Sequence, residues 1–111
     1  MTHLEINVQE PYFEHINSGL KTVEGRLAKN KFKNLKEGDK ILINNVLEKE
    51  VLEVNIYKSF EEMIISEGLE NVIPDAKDIA QAVLVYYKFY KKADEVKFGV
   101  CAVKFKPDVS N

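Results

Sequence analysis

The run Ser18-Gly19-Leu20-Lys21-Thr22-Val23-Glu24-Gly25-Arg26 constrains this chain more than any other. Gly19 reads as the end of a helix and the turn into a strand, because glycine tolerates the backbone conformation that stops helices. Side chains alternate between the two faces of a strand. Thr22, Glu24 and Arg26 are therefore expected on one face and Val23 on the other. Lys21 falls at the mouth of the strand, where the turn sets its side. With Val23 inward, the segment is an ordinary half-buried strand with a solvated, ion-paired edge. It also places a lysine, a carboxylate and an arginine within six positions, which makes it the first place to look for chemistry.

The elements around it follow from periodicity. Leu4-Glu5-Ile6-Asn7-Val8 alternates and reads as the first strand. Pro11 suits a helix start, and Tyr12, Phe13, Ile16 and Leu20 follow at helical spacing, so a helix is expected over 11–18. The next strand is 22–27. A lysine-rich loop, 28–34, has Phe32 as its anchor into the core. Strands are predicted over 40–44 and 50–58, joined by 45–48. Ser59 with Glu62 three residues on is a capping box, and the helix it opens ends at Gly68. Asp78 caps a longer helix over 79–90. The last strand is 98–106, stopped by Pro107, and the tail Asp108–Asn111 is expected to fray. The order β-α-β-β-β-α-α-β predicts an α+β fold: a small, mostly antiparallel β-barrel with flanking helices.

The totals narrow the class. A chain of 111 residues is expected to form a single domain over 1–111, with one hydrophobic core that needs neither disulfide nor metal. The net charge of −2 lacks the bulk basic signature of many nucleic-acid binders. The charge is uneven, however. From Lys21 to Lys40, seven cations face only Glu24, Glu37 and Asp39. That asymmetry points either to an anionic ligand or to a solvated loop. The single cysteine, Cys101, lies in an apolar run and reads as a small buried hydrophobe, which fits a reducing compartment. No apolar run is long enough to span a bilayer and no signal peptide is evident, so no membrane partner is expected. The expected location is the cytoplasm, or the nucleus in a eukaryote.

No phosphate-binding glycine loop, dinucleotide fingerprint or metal-type His/Cys spacing is present, so neither cofactor nor metal is expected. His3 and His15 are isolated, and His15 reads as exposed rather than catalytic. The remaining group is Lys21, Thr22, Glu24 and Arg26 with a distant carboxylate, Glu67 or Glu70. A lysine beside an arginine in a partly buried cleft has its proton affinity lowered, and such a lysine serves as base or nucleophile. Glu24 or Glu67 would move protons, and Arg26 would hold an anionic or carbonyl oxygen. The same set serves equally well to bind a phosphate and a base, or as a structural ion network. Of the dense rings Tyr86, Tyr87, Phe89 and Tyr90, most are expected in the core, with one free to stack on a base.

The segment Gly19-Leu20-Lys21-Thr22-Val23-Glu24-Gly25-Arg26 resembles the G-x-K-x-x-E-x-R signature of ASCH domains, relatives of the PUA fold. The resemblance extends along nearly the whole chain, through Glu10-Pro11-Tyr12, Gly38-Asp39, Ser66-Glu67-Gly68, Tyr87-x-Phe89-Tyr90 and Phe98-Gly99-Val100. It implies a small β-barrel with a cleft that accepts RNA, DNA or a modified nucleoside. Some small bacterial ASCH proteins are N4-acetylcytidine amidohydrolases with a lysine, a threonine and a glutamate as their proposed catalytic set. By that resemblance Lys21 matches the lysine. The threonine position holds Glu24, with Thr22 offering a hydroxyl nearby, and the glutamate falls near Glu67 or Glu70. Other members are reported as ribonucleases, nucleic-acid-binding modules or parts of transcription coactivators.

Three functions follow as expectations. The first is RNA binding, with Lys21, Arg26, Lys29, Lys31 and Lys33 on phosphate and an aromatic such as Tyr87 for stacking. It predicts strong salt dependence and tolerance of Glu24→Ala. The second is a hydrolase acting on a nucleoside or RNA, with Lys21 as base or nucleophile helped by Thr22, Glu24 and Glu67. It predicts that Lys21→Ala abolishes turnover with the fold intact. The third is a plain interaction domain with an idle cleft.

Overall fold

The computed structural model describes residues 3–107, so the tail Asp108–Asn111 lies outside the described residues. One long strand, β4 (Leu47–Tyr57), organises the sheet. Its first half pairs antiparallel with β3 (Lys40–Ile43), and its second half pairs antiparallel with β5 (Val100–Phe105). A register shift between Val51 and Glu53 separates the two halves. Such irregularities bend a strand and raise its twist, so the sheet curls here. β1 (His3–Ile6) joins β3 in parallel, and β2 (Val23–Leu27) joins β5 antiparallel. The resulting order is β1-β3-β4-β5-β2.

Two expectations are corrected by this sheet. Three of its four pairings are antiparallel as expected, but β1 runs parallel to β3, so the sheet is mixed. It is also a curled half-barrel rather than a closed one, because β1 and β2 form its two ends and do not pair. The α+β class and the PUA-like character stand.

The helices differ from expectation in number. α1 (Tyr12–Ser18) ends at Gly19, whose φ of 88° is the left-handed stop expected there. α2 (Phe60–Glu67) is capped by Ser59, whose hydroxyl accepts from the Glu62 N–H at 3.0 Å. A further short helix, α3 (Leu69–Val72), follows Gly68 directly. α4 (Ile79–Tyr87) is capped by Asp78 as expected, but it stops three residues short of Tyr90. α5 (Lys92–Phe98) fills what was expected to be a connection and the start of the last strand. Its buried Glu95 accepts from the Phe60 N–H at 2.7 Å and from the Tyr87 hydroxyl at 2.8 Å. That carboxylate ties α5 to the start of α2 and the end of α4, which is why the chain turns back here instead of extending α4.

Two apolar clusters cover the two faces of the sheet. Leu4, Ile6, Ile41, Ile43, Cys101 and Val103 fill the concave side with Phe32 from the loop. Val23, Leu27, Phe60, Met63, Ile64 and Val100 pack between the other side and the helices. β5 is buried on both faces, and Cys101 sits in it as the expected small hydrophobe.

Candidate functional site

The gap between the two ends of the half-barrel is the site. Asn7 and Val8 continue from β1 on one side, and Glu24, Gly25 and Arg26 of β2 stand on the other. The turn after α4 brings Phe89 and Tyr90 over the gap, and Tyr12 of α1 closes one flank. Together these residues enclose a cleft of about 260 Å³.

Strand alternation sends Val23, Gly25 and Leu27 toward the helices and Glu24 and Arg26 toward the concave side. The pairing partners agree: Glu24 lies opposite Val103, and Arg26 lies opposite Cys101. The expected solvated edge is therefore corrected. Glu24 is 7% exposed and Lys21 only 2%. Lys21 does not hang at the strand mouth but turns inward. Its ammonium donates to the Val23 carbonyl at 2.7 Å and to the Val72 carbonyl, and it meets Glu24 Oε1 at 3.3 Å. Glu24 Oε2 in turn accepts from Arg26 Nε at 3.0 Å and pairs with Nη2 at 2.9 Å. Arg26 Nη2 also donates to the Asn7 carbonyl at 2.8 Å. The guanidinium thus clamps the two unpaired ends of the sheet across the gap.

The electrostatics follow from burial. Removal from water lowers the Lys21 pKa, and the neighbouring Glu24 only partly offsets this. Burial also works against the Arg26 charge, but Glu24 more than compensates and the guanidinium stays charged. Tyr86 forms part of the cleft floor, and burial pushes its hydroxyl well above the usual range. Its hydroxyl lies against the Gly25 backbone of β2, whose hydrogen bond offsets only part of that rise. A Cβ on Gly25 would lie 2.6 Å from the Met63 methyl and 2.9 Å from the Tyr86 hydroxyl, so any larger residue at this point of β2 requires both side chains to shift.

The structure brings together some of the predicted site residues and separates others. Lys21, Glu24 and Arg26 meet in the cleft. Thr22 does not line it; its N–H donates to the Asn71 carbonyl and its own carbonyl accepts from Phe105. Glu67 also lies outside the lining. Its carboxylate accepts from the Tyr57 hydroxyl at 2.6 Å and from Asn55 at 3.0 Å, which together with burial raises the Tyr57 pKa to about 12. Glu70 is exposed and outside it as well. Tyr87 is held by Glu95, and the cleft rings are Tyr12, Tyr86, Phe89 and Tyr90 instead. His15 is half-buried rather than exposed. These contacts change two expectations. Lys21→Ala strips a buried network and cannot be taken to leave the fold intact, and Glu24→Ala removes the group that holds Arg26.

Lys29 and Lys31 line a second cleft of about 240 Å³, which shares Arg26 and Tyr90 with the first. Lys29 stacks over Phe98, with its nitrogen 4.9 Å from the ring centre. Lys31 donates to the Glu5 carbonyl at 2.5 Å. Lys33 is exposed and lines neither cleft.

One positioning residue was missed. Asn44 Oδ1 accepts from the Val8 N–H at 2.7 Å, and its Nδ2 donates to the Val8 carbonyl at 2.9 Å. This pair holds the end of β1 where Asn7 and Val8 line the cleft. Asn44 and Asn45 both have positive φ, which marks the tight β3–β4 turn and starts β4 earlier than expected. The adjacent asparagines were the available signal. Among the described residues, no group of His, Cys, Asp and Glu is placed to hold a metal, and no helix is long and apolar enough to cross a membrane.

The curled five-strand half-barrel with its flanking helices is consistent with a PUA-like fold. The ASCH domain family model matches residues 6–108, and the chain belongs to that family. No curated protein matches it. Two solved structures are similar over nearly all of it. The crystal structure of hypothetical protein PH0355 is 40% identical with a TM-score of 0.92, covering 96% of this chain and 100% of that one. The solution NMR structure of protein PF0455 from Pyrococcus furiosus is 38% identical with a TM-score of 0.81, covering 96% and 97%.

Proposed function

We propose that this ASCH domain binds single-stranded RNA by taking one unstacked base into the cleft between β1 and β2. The observation that carries this reading is the lining: Tyr12, Phe89 and Tyr90 stand around the buried Glu24 and its half-buried partner Arg26. Aromatic rings take the π-face of any base, and a carboxylate beside a guanidinium offers an acceptor and donors to its edge. The cleft volume is just under the roughly 300 Å³ at which small-molecule sites begin, which suits one base and not a duplex.

Phe89 gives the cleanest test, because the residue is 46% exposed and its loss spares the core. Fluorescence anisotropy with a labelled single strand and the matching duplex is the measurement. The single strand binds more tightly than the duplex, and Phe89→Ala weakens it roughly tenfold or more, as expected for one stacked base. Equal affinity for the duplex, or an unchanged Phe89→Ala protein, overturns the reading.

A second reading, hydrolysis of an N4-acetylcytidine-type amide, is favoured by one observation. Burial lowers the proton affinity of Lys21 beside a carboxylate in a cleft. Against it, the ammonium hydrogens already point at two carbonyls and Glu24. Incubation with N4-acetylcytidine and chromatography for cytidine decides: release supports the hydrolase, and intact substrate removes it.

A further inference from the structure

The second cleft has a composition unlike the first. Arg26, Lys29 and Lys31 line it with Asn30, Phe32 and Tyr90, and no carboxylate residue is among the lining. Arg26 is already paired with Glu24 at 2.9 Å, so Lys29 and Lys31 carry the charge that no carboxylate of the lining offsets, in a chain with more acidic than basic residues. The lysines are not loose. Lys29 is held over the Phe98 ring, and Lys31 is held by the Glu5 carbonyl and lies 5.9 Å from the centre of the Phe32 ring. The Arg26 guanidinium lies 5.5 Å from the centre of that same ring. Side chains restrained in this way lose less freedom when an anion arrives. Phe32 and Leu27 add apolar wall to the same hollow.

The two clefts are joined through shared residues. Arg26 and Tyr90 belong to both linings. A ligand in the first cleft is therefore in contact with residues that also line the second. A base and the phosphate on its own sugar are related in this way.

We infer that the hollow between Arg26, Lys29 and Lys31 is a phosphate site for the nucleotide whose base occupies the neighbouring cleft. The ligand unit is then a phosphorylated nucleotide, alone or within a strand, rather than a free nucleoside. The inference rests on the base-cleft reading for the nucleotide, while the anion site stands on its own lining. It also separates the cations by role. Lys29 and Lys31 meet the phosphate, Arg26 serves both clefts, and Lys21 is buried in its own network and meets none.

The test uses heteronuclear NMR titrations of the whole chain with the four ribonucleosides, their 3′- and 5′-monophosphates, and inorganic phosphate. The proteins compared are wild type, the Lys29→Gln/Lys31→Gln double variant, and Lys58→Gln, an exposed control that lines neither cleft. At least one monophosphate is expected to bind tenfold or more tightly than its nucleoside. Inorganic phosphate alone shifts the amides of residues 29–32 in wild type and in Lys58→Gln. The double variant loses those shifts and the tenfold gain, and keeps the nucleoside affinity.

Monophosphates no tighter than nucleosides, or a gain that survives in the double variant, overturn the phosphate site and leave the base cleft standing. If nucleosides leave the amides around Gly25 unmoved, the base reading fails by itself. Inorganic phosphate then decides the anion site: shifts at 29–32 that vanish in the double variant support it, and their absence in wild type overturns it.

Discussion

Glu24 and Glu50 each stand between two cations, and they behave differently. Glu24 bridges Lys21 and Arg26 inside the gap of the half-barrel, with side-chain exposures of 10%, 1% and 18%. Glu50 bridges Lys40 at 2.8 Å and Lys106 at 3.5 Å on the open sheet surface, with exposures of 32%, 26% and 54%. The chemistry is alike and the solvent is not. Water competes for every contact of the outer network, and such pairs contribute little. The inner network has been taken out of water at a cost that the ion pairing alone does not reliably recover. What it provides is position. It fixes the carboxylate and the guanidinium at the cleft and, through Asn7, joins the two ends of the sheet.

The most direct way to break the comparison is to remove one lysine from each network. Lys21→Met leaves Glu24 and two buried carbonyls short of a donor, and a loss of about 3–5 kcal/mol is expected. Lys40→Met leaves its partners to water, and only a small drop in the urea midpoint, well below that of Lys21→Met, is expected. Equal shifts in the two unfolding curves would show that burial does not separate the networks. Next in size is Glu24→Gln against Glu50→Gln. Glu24→Gln leaves two cations facing a neutral amide that still accepts, so a smaller loss of about 2–3 kcal/mol is expected. It should also free Arg26, which a changed side-chain Nε resonance would report. Glu50→Gln should leave that resonance in place.

The inner network shows how much of the site was legible in the chain. The residues of the network were readable from Lys21, Glu24 and Arg26 alone, because glycine punctuation and strand alternation are local rules. Caps at Ser59 and Asp78 were readable for the same reason: donor and acceptor lie three residues apart. Burial of Glu24 was not readable. It depends on the sheet curling until the segment after β1 faces β2, and the parallel β1–β3 pairing that arranges this is non-local. Asn44 reaches Val8 across 36 positions, with no local trace beyond its turn. Tyr87 was expected to stack, while its neighbours Tyr86 and Tyr90 line the cleft. Tyr86 and Tyr90 lie four apart, on one face, and both stack on Phe60 at 4.4 and 5.3 Å, while Tyr87 points a third of a turn away to Glu95. Glu67 was placed near the site by resemblance, and its direction at the end of α2 takes it to Tyr57 instead.

Alkaline titration sharpens the contrast, because the two lysines shift in opposite directions. The folded value of Lys21 is lowered below the ordinary 10.5, chiefly by burial. In the window between them the unfolded chain holds a proton that the folded one lacks, so stability rises with pH. The folded value of Lys40 is raised above 10.5, chiefly by its hydrogen bond to Glu50. Its contribution is present below 10.5 and is lost as pH climbs through the folded value. Tyr57 and Tyr87, both raised to about 12, also lose stability for the fold between pH 10 and 12. Differences between wild type and each variant cancel that common background. Relative to Lys21→Met, wild type is expected to gain as pH approaches 10.5; relative to Lys40→Met, it is expected to lose above it. Curves of the same sign would contradict the burial argument.

The smallest expected effect is that of salt. At 1 M the screening length falls to about 3 Å, and solvated pairs lose most of their attraction while buried pairs are largely shielded from ions. Whatever part of the wild-type midpoint salt removes should therefore be absent from Lys40→Met and present in full in Lys21→Met. Urea unfolding of the three proteins with and without 1 M sodium chloride, corrected by the Lys40→Met/Lys21→Met double variant for general salt effects, measures that difference. A salt response that follows Lys21 instead would mean that water and ions reach the inner network, and that the cleft floor is wetter than its 1% exposed lysine implies.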